Sequence, residues 1–156
     1  MGRVLIACEE SQTICKAFRE LGHEAYSCDL LPESGGHPEW HYQRDVFEVI
    51  NDGWDMMIAH PPCTFLSVSG AWCMYNKDGS INQERLKNQN DALDFVRKLM
   101  DAPINRIAIE NPISVISSKI RKRSVIFYEI IVEKVFSLFD FIYEKKVGSF
   151  PLVLGK

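Results

Sequence analysis

Residues 54–64, which read WDMMIAHPPCT, form an apolar run that stops at a histidine, two prolines and a cysteine. A short apolar run bounded by turn residues is typical of a strand buried on both faces of a parallel sheet. Because proline restricts the preceding residue to extended conformations, His60 and Pro61 are both held extended. The segment therefore predicts a buried strand whose rigid Pro-Pro unit presents Cys63 at its carboxyl end.

Comparable apolar runs recur along the chain and alternate with helical patterns. The predicted strands are 3–8, 23–30, 40–45, 54–60 and 106–111, and the predicted helices are 11–22, 46–51 and 83–101. This alternation predicts an α/β fold with a doubly wound parallel sheet. Ser11 is expected to cap the first helix and Gly22 to end it. The loop 61–82 lacks periodicity, and loops of this length are usually functional or disordered.

The composition is that of an ordinary globular protein, and the length of 156 residues predicts a single domain, 1–156. The net charge of −3 excludes a general attraction to nucleic acid, so any nucleic-acid site must be a local patch. No apolar run reaches about 18 residues, so we expect no membrane partner. Five cysteines without a C-x-x-C pair favour free thiols and a cytoplasmic location. A homo-oligomer remains open.

Each predicted strand ends in a polar or reactive residue, at the edge where open parallel sheets bind ligands. These residues are Glu9, Glu10, Asp29, Asp45, His60, Cys63, Glu110 and Asn111. One such residue is unremarkable, but a set at the same edge of one sheet predicts a functional site. Three other cysteines, Cys8, Cys15 and Cys28, fall inside predicted elements and are expected to be structural, whereas Cys73 remains ambiguous.

The first strand is followed by CEESQT (8–13), without the glycine-rich turn that cradles a pyrophosphate. Glu9 and Glu10 would repel such a group. Asp29 lies about 20 residues further on, where an acidic residue binds ribose hydroxyls in dinucleotide-binding folds, although a solvated loop aspartate is an equal alternative. The pattern favours a cationic or zwitterionic cofactor such as S-adenosylmethionine, which has a ribose and a sulfonium but no phosphate.

A thiol and a carboxyl at neighbouring strand ends form a productive catalytic pair. Cys63 can attack an electron-poor ring while Glu110 donates or accepts a proton at a ring nitrogen. A free thiol has a pKa of about 8.5 and needs activation, which His60 or a backbone N–H is expected to provide. The alternatives are a buried structural cysteine and, for Glu110-Asn111-Pro112, a simple strand stop.

These residues resemble the cytosine-C5 DNA methyltransferases. In that family a Pro-Cys after the fourth strand carries the nucleophile and a Glu-Asn pair after the fifth carries the carboxylate; PPC (61–63) and ENP (110–112) match in type and order. The resemblance covers roughly residues 3–122 and is greatest to short phage-borne methyltransferase-like proteins. It implies a Rossmann-like sheet that binds S-adenosyl-L-methionine through Cys8, Glu9, Glu10, Asp29, Leu30, Asp45 and Pro61.

The resemblance also implies a mechanism in which Cys63 adds to C6 of a cytosine while Glu110 hydrogen-bonds N3. C5 then takes a methyl group, and loss of the C5 proton releases Cys63. His60 and Asn111 complete the implied catalytic set. The partner is cytosine-containing DNA, with the target base flipped out of a duplex or already single-stranded, in a bacterial or phage-infected cytoplasm.

Several segments depart from the family pattern. The Phe-x-Gly-x-Gly-Gly loop and a separate target-recognition domain are missing, and residues 123–156 diverge. Arg121 and Arg123 keep the mutual spacing of the family's paired arginines, and they are candidates for phosphate contact or a solvated loop. Trp72 and Tyr75 are expected either to stack on a displaced base or to cover the site.

Three alternative functions stay open. The first is a catalytically weak or inactive protein that retains cofactor or nucleic-acid binding. The second is a cysteine-dependent enzyme acting on a free nucleotide. The third is an amino-methyltransferase, because HPPC (60–63) half resembles the Asp/Asn-Pro-Pro-aromatic motif of those enzymes.

Overall fold

A six-stranded parallel sheet forms the centre of the described chain, which comprises residues 1–112, 114–120 and 126–128 of a computed structural model. The strands are β1 (Arg3–Ala7), β2 (Glu24–Asp29), β3 (His41–Gln43), β4 (Met56–Ala59), β5 (Ile107–Glu110) and β6 (Ile126–Tyr128). They pair in the order β3-β2-β1-β4-β5-β6, and every neighbouring pair is parallel. The predicted α/β class and parallel sheet are therefore confirmed, and the order is compatible with a Rossmann-like fold.

Helices cover both faces of the sheet. The α-helices are α1 (Thr13–Glu20), α2 (Gln83–Met100) and α3 (Ile116–Lys119), and short 3-10 helices span Pro38–Trp40, Val46–Glu48 and Val68–Met74. Because successive strand residues point to opposite faces, Val4 and Ile6 pack with α1 while Leu5 and Ala7 pack in the cluster that contains α2. None of the helices in the described part of the chain is long and apolar enough to cross a membrane.

The start of α1 differs from the sequence-based expectation. The helix begins at Thr13 with Gln12, not Ser11, at the N-cap position, and Gln12 has a left-handed φ of 57°. The Glu9 carboxylate instead accepts hydrogen bonds from the N–H groups of Ile14 at 2.6 Å and Cys15 at 3.2 Å. Ser11 therefore does not occupy the N-cap position; its hydroxyl accepts from the N–H of Thr13 at 3.4 Å, while a carboxylate from the preceding strand end supplies the acceptors for the next two N–H groups.

The other helix ends agree with the sequence pattern. Gly22 follows α1 with a φ of 83°, and its N–H donates to the carbonyl of Arg19, as expected of a glycine that ends a helix. Asn82 caps α2, because its Oδ1 accepts from the N–H of Arg85 at 3.0 Å. The predicted helix at 46–51 is the shorter 3-10 helix Val46–Glu48.

Candidate functional site

A cavity of about 240 Å³ opens at the carboxyl ends of β1 to β4. The strand order reverses between β1 and β4, and ligands of open α/β sheets bind outside such a switch point. The predicted cofactor residues that line this cavity are Cys8, Asp29, Leu30, Asp45 and Pro61. The structure thus brings residues from four separate strand ends to one cavity.

The carboxylates of Asp29 and Asp45 are oriented by the backbone at the cavity wall. Asp29 Oδ1 accepts from the N–H of Leu31 at 2.9 Å, and Asp45 Oδ1 accepts from the N–H of Phe47 at 2.9 Å. Within the described residues, the Oδ2 atom of each has no hydrogen-bond partner. Each carboxylate therefore keeps one oriented oxygen for a ligand hydroxyl or amino group.

The thiols in the cavity wall are held protonated. Burial, followed by the negative charge of Asp29, raises the pKa of Cys8 to about 12 and that of Cys28 to about 12. At neutral pH both are neutral, weakly polar groups rather than nucleophiles. Of the charged side chains that line the cavity, two are acidic, Asp29 and Asp45, and one is basic, Arg44, so the lining carries an excess of negative charge that favours a cationic ligand.

The remaining three cysteines differ in their exposure to solvent. Cys15 is buried, and burial raises its pKa to about 11. Cys73 is partly exposed, whereas Cys63 is exposed, and all five cysteines are free. The prediction of free thiols is confirmed, as is the burial of Cys15 and Cys28, while Cys8 is only partly buried.

Glu9 and Glu10 lie beside the cavity but do not line it. Glu9 is 6% exposed, and burial raises the pKa of its carboxyl although the two N–H groups of α1 oppose the shift. The carbonyl of Glu10 accepts from the N–H of Ser34 at 2.9 Å, and its Oε2 is 3.5 Å from the Ser34 hydroxyl. Both glutamates therefore hold neighbouring chain segments in place.

The loop 30–37 is fixed against the segment that contains these glutamates. Gln12 is fully buried; its Nε2 donates to the carbonyl of His37 at 2.7 Å, and its Oε1 accepts from the N–H of His37 at 3.1 Å. A Cβ atom at Gly35 would lie 2.5 Å from Gln12 Oε1 and 2.6 Å from the Ser11 carbonyl oxygen. Only glycine fits this approach without displacement of the backbone.

We expect Gly35→Ala to lower the free energy of unfolding by about 2–3 kcal/mol, as overpacking does at a crowded position. The neighbouring Gly36→Ala is the control, since Gly36 has a φ of 86° but no atom near its added Cβ. That control should cost only the 1–2 kcal/mol typical of left-handed strain. Urea denaturation measures both, and a smaller loss for Gly35→Ala than for Gly36→Ala would contradict the steric explanation.

The Pro-Pro unit connects the cavity to the thiol. Pro61 and Pro62 line the cavity, and Cys63 follows them at the start of a turn. The carbonyl of Cys63 accepts from the N–H groups of Leu66 at 3.0 Å and Ser67 at 2.8 Å, which closes this turn. In the portion of the chain that the structure describes, the Cys63 thiol makes no hydrogen bond.

The side chains of His60 and Glu110 form a hydrogen bond. Ala59 pairs with Ile109 in the β4–β5 register, so His60 and Glu110 follow side by side. His60 Nδ1 lies 3.1 Å from Glu110 Oε2, and the two side chains are 24% and 27% exposed. Among the described residues, no hydrogen bond links His60 to Cys63, and His60 Nε2 is buried without a partner. The imidazole thus orients the carboxyl of Glu110.

Asn111 joins the two strand ends. Its side chain is buried, and its Nδ2 donates to the carbonyl of Pro61 at 2.9 Å. Farther along, the N–H of Val115 donates to the carbonyl of Leu66 at 2.9 Å, and Ser67 forms a β-bridge with Ser114. These contacts fix the Cys63 turn relative to the carboxyl end of β5.

The expected nucleic-acid residues fall in different places. Trp72 and Tyr75 are 79% and 61% exposed, and they lie in or directly after the 3-10 helix Val68–Met74, so neither covers the site as a core residue. Arg121 and Arg123 lie outside the described residues, as does the tail 123–156 apart from β6. Of the two residue pairs expected to contact nucleic acid, the structure describes only the aromatic pair, which lies on the loop that follows Cys63.

Other cavity residues were not predicted from the sequence. Phe65, Ala92 and Phe95 form an apolar wall contributed by the Cys63 turn and by α2. Ala92 and Phe95 are apolar residues three positions apart within the predicted helix 83–101, so the sequence pattern contains a partial signal for this wall. Arg44 also lines the cavity and is exposed.

No family model, curated protein or solved structure matches this chain.

Proposed function

We propose that this protein is an S-adenosylmethionine-dependent methyltransferase that modifies C5 of cytosine in DNA. The observation that carries the proposal is that Cys63 and Glu110 follow two neighbouring strands, β4 and β5, at the edge of a parallel sheet where a cavity lined by two aspartates opens at the switch point. The Asn111–Pro61 hydrogen bond links the two strand ends that present these groups.

The cavity suits the adenosyl part of the cofactor. The free oxygens of Asp29 and Asp45 are placed to accept from ribose hydroxyls or an adenine amino group, and apolar side chains supply a wall for the adenine ring. The negative potential suits a sulfonium, and Glu9 and Glu10 disfavour a pyrophosphate at the α1 end. When bound, the cofactor supplies an electrophilic methyl group.

The chain's own residues supply the other steps. The Cys63 thiolate forms a bond to C6, and the ring electrons are accepted at N3, where the Glu110 carboxyl donates its proton. The resulting nucleophilic C5 would take the methyl group with the cofactor's thioether as the leaving group. Water then takes the C5 proton, N3 returns its proton to the Glu110 carboxylate, and the ring expels the thiolate. His60 keeps the Glu110 carboxyl in a fixed orientation throughout.

The proposed partner is DNA. Its target base must leave the stack, or already be single-stranded, for the ring to reach Cys63. Trp72 and Tyr75 present exposed aromatic faces on the loop that follows Cys63, which suits stacking on displaced bases. Arg121 and Arg123 are proposed to contact phosphates. The proposed location of the protein is the cytoplasm of a bacterium or of a phage-infected cell.

A second candidate is a protein that binds the cofactor without catalysing transfer. The observation that favours it is the lack of a hydrogen-bonded base at the Cys63 thiol within the described residues. Such a protein would retain the cavity and its two aspartates but lack a group that activates the thiol.

The test is calorimetric titration of S-adenosylmethionine together with transfer of labelled methyl to duplex and single-stranded DNA. We expect binding, 5-methylcytosine as the product, and a 10–100-fold weaker Kd for Asp29→Asn, as expected when a charged hydrogen bond is lost. Asparagine keeps an oxygen for the N–H of Leu31, and the exposed Asp91→Asn is the matched control.

The outcomes separate the candidates. Binding without transfer selects the non-catalytic protein, and transfer to a free cytosine nucleotide but not to DNA selects a nucleotide-modifying enzyme. Methylation of an exocyclic amino group instead of C5 identifies an amino-methyltransferase. No binding of S-adenosylmethionine contradicts the proposal as a whole.

A further inference from the structure

The turn that follows Cys63 has four consecutive carbonyl groups, and each accepts a hydrogen bond. The first is bonded within the turn, and the last, that of Leu66, is bonded by the N–H of Val115. The two between them belong to Thr64 and Phe65. These two carbonyls find their partners outside the turn.

Two side chains of α2 supply those partners. Arg85 Nη2 donates to the Thr64 carbonyl at 3.0 Å, and Gln89 Nε2 donates to the Phe65 carbonyl at 3.2 Å. Arg85 and Gln89 are four residues apart, so they lie on the same face of the helix, one turn from each other. Their spacing matches consecutive carbonyls of the turn.

The guanidinium of Arg85 is enclosed on two further sides. It lies 4.6 Å from the centroid of the Phe65 ring, in a cation–π contact. A Cβ atom at Gly70 would lie 2.8 Å from Arg85 Nη2, so the loop passes close to the guanidinium, and a larger residue there would displace the end of the Arg85 side chain. Arg85 Nε is buried. The contacts leave this side chain little freedom to adopt other rotamers.

We propose that Arg85 and Gln89 are positioning residues that fix the Cys63 thiol relative to the cofactor cavity; this inference rests on the proposed role of Cys63 as nucleophile. The same helix contributes Ala92 and Phe95 to the cavity wall. One rigid element therefore sets both the direction of the nucleophile and the wall against which the cofactor binds. Fixing the attacking atom in advance removes positional entropy from the chemical step.

The test compares Arg85→Met with Arg97→Met in the full chain. Arg97 is also on α2 but is exposed and pairs with Asp94, so it provides the matched control. We expect Arg85→Met to speed hydrogen exchange of the Leu66 and Ser67 amides by about 10–100-fold, the effect of losing a charged hydrogen bond. Arg97→Met should leave this exchange unchanged.

The kinetic expectation is a kcat lowered by about 10–100-fold with an unchanged KM for S-adenosylmethionine. Gln89→Met removes only the uncharged hydrogen bond to the Phe65 carbonyl and should lower kcat by a smaller factor. This variant replaces Arg85→Met in the test if Arg85→Met fails to fold. Unchanged amide exchange in both variants overturns the inference, as does a KM effect without a kcat effect. If the wild-type protein transfers no methyl group, the proposed function fails, and the exchange measurement alone decides whether α2 fixes the turn.

Discussion

Replacing Cys63 with serine is expected to reduce methyl transfer by at least about 10³-fold, because a hydroxyl is a far weaker nucleophile than a thiolate. The substitution is nearly isosteric and the side chain is exposed, so the fold should be retained. Binding of S-adenosylmethionine should be unchanged, since the cavity is lined by Pro61 and Pro62 but not by Cys63. Calorimetry and labelled-methyl transfer on the same preparation measure both quantities.

Cys73→Ser is the matched control, because Cys73 is a free, partly exposed thiol in the same loop region. It should leave transfer unchanged. Mass spectrometry of the wild-type protein with DNA that contains 5-fluorocytosine should also show a covalent adduct on Cys63. Transfer that survives Cys63→Ser would refute the covalent mechanism and favour an amino-methyltransferase.

Replacing Glu110 with glutamine is expected to lower kcat by about 10²–10⁴-fold, the usual range for loss of a general acid or base. Glutamine retains an oxygen that can accept from His60 Nδ1, so the local hydrogen bond is preserved. What is lost is the carboxyl proton at N3 of the ring. The KM for S-adenosylmethionine should not change, because Glu110 does not line the cavity.

The control for this variant is Glu48→Gln, an exposed glutamate in the 3-10 helix Val46–Glu48. His60→Asn should fall between the two, since it removes the group that orients Glu110 without removing the proton donor. If kcat of Glu110→Gln equals that of the wild-type protein, the carboxyl has no part in the reaction.

The sheet was predictable because its signal is local. Buried parallel strands read as short apolar runs, and VLIA (4–7) and MMIA (56–59) are such runs, each bounded by polar or turn residues. The rule that ligands bind at carboxyl ends of parallel strands then placed Asp29 and Asp45 together without any knowledge of side-chain geometry. The cavity between them follows from topology alone.

The partners of the polar side chains were less predictable because they depend on tertiary distances. The family resemblance implies that Glu9 contacts the cofactor, yet its carboxylate accepts hydrogen bonds from the N–H groups at the start of α1. The sequence leaves either His60 or a backbone N–H to activate Cys63, and strand register places His60 beside Glu110 instead. Neither choice is encoded in the spacing of residues along the chain.

The polar face of α2 shows the same limit. Arg85 and Gln89 are polar residues of an amphipathic helix, and such residues are expected to face solvent. Nothing in the sequence indicates that the Cys63 turn passes over them. Their partners are backbone carbonyls, which every residue has, so no complementary residue type marks the contact.

The carboxylate of Glu9 limits which ligands can bind at the N-terminus of α1. In dinucleotide-binding sheets, the first helix offers its N-terminal N–H groups to an external anion. Here the chain fills that position with an anion of its own, so a phosphate would have to compete with a covalently tethered, buried group. Binding of a nicotinamide or flavin dinucleotide at this helix end would therefore require loss of Glu9 first, and not merely the gain of glycines.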